Sequence, residues 1–233
     1  MGTSSILAMA RRSAAAFAVL AGFLALSVPA QANNYMLTRS PEKGVHVTGS
    51  DKAKLTLTEY VSYTCPHCAH FEAEAGDRLQ MFYVGTGKIR MEVRHIVRDP
   101  FDLTVAMLAN CGPDARFGGN HAMLMKTQPQ WLGKLSHATT AQSNRYQTGT
   151  YTARRQAIAA DAGLYKLMGG RGYDKATVDR CLADENMAKA LSEKTMEYVK
   201  AGVSGTPSFA IDGVVLIGTH EWDTLRPQID VRL

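Results

Sequence analysis

Two cysteines separated by two residues, Cys65-Pro66-His67-Cys68, stand between a short strand-like run and the start of a helical pattern. That placement constrains the fold more than any other part of the chain. From 55 to 60 the residues alternate, Leu55, Leu57 and Glu59 against Thr56, Thr58 and Tyr60, which reads as a strand. Pro66 suits a first helical position, because it has no N–H to leave unpaired there. Cys68, Phe71, Ala75, Leu79 and Phe82 then recur at helical spacing, so the helix is expected to run to 82. Cys65 is thereby placed at the helix cap and Cys68 one turn in.

A second strand is expected at 89–97, after Gly85 and Gly87. Upstream, 33–50 reads as irregular, with an edge strand at 45–47. From 99 to 184 the pattern is helical without a strand, and helices are expected at 102–111, 114–126, 151–162 and 174–182. A further helix at 186–201 carries Met187, Leu191, Thr195 and Tyr198 on one side. Gly205-Thr206-Pro207 follows, then strands at 208–211 and 214–217 joined by Asp212-Gly213, a hairpin signal, and a last helix at 221–229.

The N-terminus has the marks of an export signal. Arg11 and Arg12 precede an apolar run over 14–26, and small residues at Ala30 and Ala32 suit cleavage, leaving Asn33 as the first mature residue. An uncleaved anchor is the alternative, but the run is short for a spanning helix and Pro29 breaks its end. No second long apolar run follows, so a soluble mature protein is expected. Loss of Arg11 and Arg12 with the signal would take the formal net charge from +5 to +3, too mild to argue for nucleic acid. An exported chain lives where disulfides persist, and all four cysteines are read in that light.

A thiolate at Cys65 would accept hydrogen bonds from the free N–H groups of the first helical turn and feel the positive end of the helix dipole. His67 adds a polarisable ring beside the sulfur. Cys65, with an exposed sulfur, is the expected nucleophile; Cys68, on the apolar face with Phe71, suits the resolving role. Three other uses of the pair are weaker. Haem attachment needs His directly after the second Cys, where Ala69 stands. Zinc held by Cys65, Cys68 and His70 lacks a second Cys pair, since Cys111 and Cys181 do not form one. A structural staple across so short a loop constrains the unfolded chain little. No metal and no separate cofactor is expected; the Cys65–Cys68 disulfide is the redox group.

Cys111 and Cys181 both fall on apolar helix faces and are expected to be buried, either as two inert thiols or as a disulfide joining the ends of the helical region. Such a bond would close a loop worth roughly 4 kcal/mol in the chain-entropy model. His121, His137 and His220 are dispersed and suggest no ligand set. Met123, Met125 and Trp131 read as core, and Arg154-Arg155 as a solvated helix face.

The segment from Glu59 to Phe71, Glu-Tyr-Val-Ser-Tyr-Thr-Cys-Pro-His-Cys-Ala-His-Phe, resembles the active-site segment of the DsbA family of periplasmic thiol:disulfide oxidoreductases. The resemblance covers most of the chain after the signal. It implies an α/β, thioredoxin-like fold with an inserted all-helical subdomain, divided as 1–32 signal, 33–98 and 185–233 thioredoxin-like, and 99–184 inserted. It implies a periplasmic monomer that gives its Cys65–Cys68 disulfide to reduced exported proteins and is reoxidised by a DsbB-type, quinone-linked membrane partner.

Gly205-Thr206-Pro207 matches the family's cis-proline loop, where Thr206 and Pro207 would hold an extended client strand. Thr206 departs from the best-known branch, which carries Val, and is similar to what thioredoxin-fold isomerases and other DsbA-like branches use. Glu59 matches a carboxylate below the disulfide that exchanges a proton with Cys68. A second disulfide like Cys111–Cys181 occurs in one branch. Two rival functions remain. One is an isomerase or reductase kept reduced, which Thr206 favours but the short 33–52 segment does not, being too small for an added dimerisation domain. The other is a peptide-binding chaperone, which would need neither thiol.

Overall fold

Among the described residues, 36–233, six strands form one mixed sheet in the order β1-β2-β4-β3-β5-β6. The structure is a computed structural model. The expected export signal, 1–32, and Asn33 lie outside the described residues. The strands are β1 (Thr38–Glu42), β2 (Val45–Gly49), β3 (Leu55–Val61), β4 (Ile89–His95), β5 (Ser208–Ile211) and β6 (Val214–Val215). β3 sits inside the sheet, parallel to β4 and antiparallel to β5, which puts Glu59 opposite Val93 on one side and Phe209 on the other.

The β3–β4 crossover is a continuous helical segment from Pro66 to Val84. Its first part, α1 (Pro66–Phe71), passes into a π-helical turn (Glu72–Gly76), a short α turn (Asp77–Leu79) and a second π turn (Gln80–Val84). Nine further helices follow among the described residues: α2 (Pro100–Ala109), α3 (Phe117–Lys126), α4 (Gln128–Ser136), α5 (Thr140–Gln147), α6 (Tyr151–Ala162), α7 (Leu164–Gly170), α8 (Lys175–Leu182), α9 (Glu185–Lys200) and α10 (Trp222–Asp230). Everything regular between β4 and α9 is helical. α2 begins as its sequence dictates, with Pro100 in its first turn and the Asp99 carboxylate accepting from the Asp102 N–H at 2.8 Å.

The main core takes Leu55, Leu57 and Val61 from β3, Cys68, Phe71 and Leu79 from the crossover, and Leu124, Trp131 and Ile158 from the helical region. Tyr60 points the other way, into a smaller cluster with Ile96, Tyr198 and Ala210. The alternation read at 55–60 therefore separates two buried faces rather than a buried one from a wet one.

Several expectations are corrected. The 45–47 strand is internal, because 38–42 pairs outside it; Pro41 and a register shift between Arg39 and Glu42 hide β1 from a period-two reading. Three short helices, α4, α5 and α7, lie between those expected. α5 holds together through a capping box in which Thr139 and Gln142 exchange hydrogen bonds, rather than through an apolar stripe. Arg155 is buried, not solvated: its Nε donates to the Leu182 carbonyl at 2.7 Å and its guanidinium pairs with Glu185, while Arg154 lies over the exposed Tyr151 ring. Trp131 and Met125 are core residues, the indole N–H donating to the Leu124 carbonyl at 2.9 Å.

Candidate active site

The chain leaves β3 at Val61 and reaches Cys65 through Ser62-Tyr63-Thr64. Cys65 is the residue before α1, with extended backbone angles (φ −88°, ψ 116°). Two side chains from the helical region hold this turn. Asp102 accepts from the Tyr63 N–H (2.8 Å), the Ser62 hydroxyl (2.5 Å) and the Arg98 N–H (3.2 Å). Gln128, the first residue of α4, donates through Nε2 to the carbonyls of Tyr63 (2.7 Å) and Cys65 (2.8 Å). Burial lifts the Asp102 carboxyl to about 6 against the pull of these donors.

Both thiols are free, and the residues are only 3% (Cys65) and 1% (Cys68) exposed. The expected exposed sulfur of Cys65 is thus corrected. The Thr206 carbonyl lies over it, with the Cys65 thiol donating to that oxygen at 3.1 Å across a cis Thr206–Pro207 bond. The Pro207 carbonyl accepts from His220 Nδ1 at 2.7 Å, and the Ser208 hydroxyl donates to Gly205 O, so the loop is braced on both sides of the proline. Pro66 and His67 are the exposed residues of the motif.

The two sulfurs are electrostatically unlike. The Cys65 thiol is drawn down to about 5, first by the hydrogen bond from Cys68, then, against the cost of burial, by the Thr206 side chain and the backbone N–H groups of Cys68 and His67. His67 therefore acts on the sulfur through its main chain. Burial pushes the Cys68 thiol far up, and its contact with the Cys65 thiolate adds to that. A pair with one sulfur ready to leave as thiolate and the other held as thiol is suited to exchange with a second dithiol.

Glu59 is 1% exposed, and one of its carboxylate oxygens has no hydrogen-bond partner among the described residues. Burial raises its carboxyl to about 8, opposed by the charge of His121 and reinforced by Glu72. Its charge also adds a little to the raising of the Cys68 thiol. The sequence therefore brings Cys65, Cys68, Glu59, Thr206 and Pro207 into one neighbourhood. His70, which a zinc set would have used, is exposed beside Glu74 at 3.8 Å.

Cys111 and Cys181 are bonded, with Cα atoms 5.5 Å apart. Cys111 is buried but Cys181 is not fully so, a second correction: it lies in the last turn of α8, on the wall of a cavity of about 460 Å³ shared with His46, Asn110 and Arg180.

Asp102, Gln128 and Glu72 carry no signal in the sequence, and His121 stands there as a dispersed histidine with no part in a ligand set. Asp102 reads there as an ordinary first-turn acid, and Gln128 as the residue before Pro129. Their contacts join chain segments dozens of positions apart, where no local pattern reaches.

The sequence matches the family described as thioredoxin over residues 42–231. It is similar to a Rickettsia conorii protein named as a protein-disulfide oxidoreductase, 30% identical over 189 residues that make up 80% of this chain and 60% of that one. The chain thus spans about 60% of that relative's length. Among solved structures it resembles a protein-disulfide isomerase from Novosphingobium aromaticivorans, with 50% identity, a TM-score of 0.78, and 82% of this chain and 97% of the other covered. Alpha-DsbA1 of Wolbachia pipientis shares the fold at 22% identity and a TM-score of 0.60, over 85% of this chain and 94% of its own.

Proposed function

The chain belongs to the thioredoxin family, and on that premise we propose that it is an exported thiol:disulfide oxidoreductase that gives its Cys65–Cys68 disulfide to reduced client proteins. The observation that carries this reading is the asymmetry of the pair, with Cys65 drawn to about 5 beneath the Thr206 carbonyl while Cys68 is pushed up. Stabilising the reduced form's thiolate makes the disulfide easier to reduce, by about 30 mV for each 1.4 kcal/mol.

A client thiolate attacks Cys65, the Cys65–Cys68 bond breaks, and a mixed disulfide forms while the client strand lies against Thr206 and Pro207. A second client thiolate then attacks the client sulfur, and the protein leaves reduced. Glu59 supplies the proton that Cys68 takes up. The periplasm, a monomeric state, a DsbB-type quinone-linked reoxidant and the division into 33–98, 99–184 and 185–233 belong to the same proposal. The lack, among the described residues, of a helix long and apolar enough to cross a membrane is compatible with it.

A second reading, disulfide isomerase, is favoured by Thr206 beside the cis proline and by the name of the N. aromaticivorans protein. Equilibrating the protein with glutathione buffers separates the two. An oxidising equilibrium, with rapid oxidation of a reduced unfolded client, supports the donor. A strongly reducing one overturns the donor reading, and repair of scrambled disulfides without oxidation of the reduced client overturns it in favour of the isomerase.

A further inference from the structure

Behind α1 lies a group of titratable side chains that the exchange steps above do not use. The π turn that follows α1 presents Glu72 inward, where its Oε2 stands 3.7 Å from His121 Nε2 of α3. Gly76 makes room for that carboxylate: a Cβ there would lie 2.5 Å from Glu72 Oε2. The other nitrogen of His121, Nδ1, is hydrogen-bonded to the Tyr63 hydroxyl at 2.9 Å. Both His121 and Glu72 are buried, and both interact electrostatically with Glu59, whose second oxygen is unpartnered. On their far side they line a cavity of about 370 Å³, walled also by Thr38, Met91, Phe117 and the exposed Met81.

We propose that His121 and Glu72 are the proton exit of the buried dithiol, linking Glu59 to solvent through this cavity. This rests on the dithiol reading above. When Cys68 attacks a mixed disulfide at Cys65, its S–H bond breaks, the Cys65–Cys68 bond forms and the partner leaves as a thiolate. Over the two exchanges that oxidise the pair, two electrons pass from the protein's sulfurs to the partner's. The Glu59 carboxylic acid passes its own proton outward through the His121–Glu72 pair and takes up the Cys68 proton in its place. Reduction of the disulfide runs the same path inward.

His121 is faced by Glu72 from the crossover, Glu59 from β3, Tyr63 from the loop after it, His46 from β2 and His95 from β4. Burial holds His46 down to about 4 and His95 well below its ordinary value. His121 alone of the three is raised: burial opposes its charge, but Glu72 and Glu59 outweigh that. It is thus the imidazole of the group most favourably placed to hold a proton.

The test is the rate at which Cys68 resolves the mixed disulfide formed by mixing the full reduced protein with oxidised glutathione, followed by acid quench across pH. In His121→Gln and Glu72→Gln the resolution near neutral pH should slow by about a hundredfold, the low end of proton-transfer effects. Added imidazole, entering the cavity, should restore it, and the Cys65 titration should stay in place. Wild-type rates in both variants, or slowing that imidazole does not relieve, would overturn the proposal; if one variant fails to fold, the other decides. Glu59→Gln separates the layers. A slowed Glu59→Gln beside unaffected His121 and Glu72 variants rejects the exit alone. An unaffected Glu59→Gln rejects the Glu59 reading itself.

Discussion

Gln128 donates to the Cys65 carbonyl at 2.8 Å from 63 positions downstream, and the same Nε2 reaches the Tyr63 carbonyl at 2.7 Å. The first helical turn after Cys65 can stabilise a thiolate only while its N–H groups point at the sulfur, and Gln128 fixes the peptide that aims them. The helical region is thus a structural part of the thiol site.

Gln128→Ala leaves two buried carbonyls without this donor, so it should destabilise the protein by roughly 1–3 kcal/mol. Gln128→Glu puts a carboxylate against the same oxygens and should also raise the Cys65 pKa by charge repulsion. Denaturant unfolding and thiolate absorbance read the two effects. Wild-type values for both variants would mean the clamp carries no weight.

In the reduced protein, thiolate absorbance should titrate with a midpoint at about 5. The folded value lies below the ordinary 9.0, so the thiolate's contribution to stability is fully present above 9.0 and lost as pH falls through about 5. Reduced wild type should therefore gain on Cys65→Ser as pH rises across that window. Cys68→Ala, which removes the largest cause of the depression, should raise the midpoint by about one unit, or about 1.4 kcal/mol. A midpoint in the ordinary thiol range would contradict the asymmetry of the pair.

Glu59 has the opposite sign. Its folded value, about 8, lies above the ordinary 4.5, so its contribution is fully present below 4.5 and lost as pH rises through 8. Measured on the oxidised protein, where neither Cys65 nor Cys68 titrates, wild type should lose stability relative to Glu59→Gln across that range, at no more than about 1.4 kcal/mol per pH unit. A flat difference would show that Glu59 is not buried as a carboxylic acid.

Replacing both Cys111 and Cys181 with Ala opens a loop spanning 70 positions and should lower stability by roughly 4 kcal/mol. The exchange kinetics of Cys65 should be kept, because the bond ties α8 to the end of α2 and touches neither thiol. A simultaneous collapse of exchange in a folded double variant would tie this bond to the active site.

The parts of this fold legible in the sequence are those written locally. Pro66 marks a helix start, Asp212-Gly213 a hairpin, and the shared face of Leu55, Leu57 and Glu59 foretells a buried acid. β1 is illegible because Pro41 interrupts its alternation, and the π turns because Phe71, Ala75 and Leu79 keep an apolar face without revealing the wider winding that turns Glu72 inward. Arg155 looks like any helix-face cation until the Leu182 carbonyl, 27 positions on, arrives beside it. The supports of the site, Asp102, Gln128 and His121, are of this second kind: each depends on where the chain returns.

The seal over Cys65 has a consequence for what can reach it. With the Thr206 carbonyl against the sulfur and the residue 3% exposed, no rigid globular surface can present a cysteine at bonding distance. Only a slender, pliable stretch of polypeptide can slide under the proline turn and displace that oxygen. For the clients of the proposed exchange, access then becomes a race against compaction: a chain remains within reach while it is still loose, and drops out of reach once its own cysteines have been folded away.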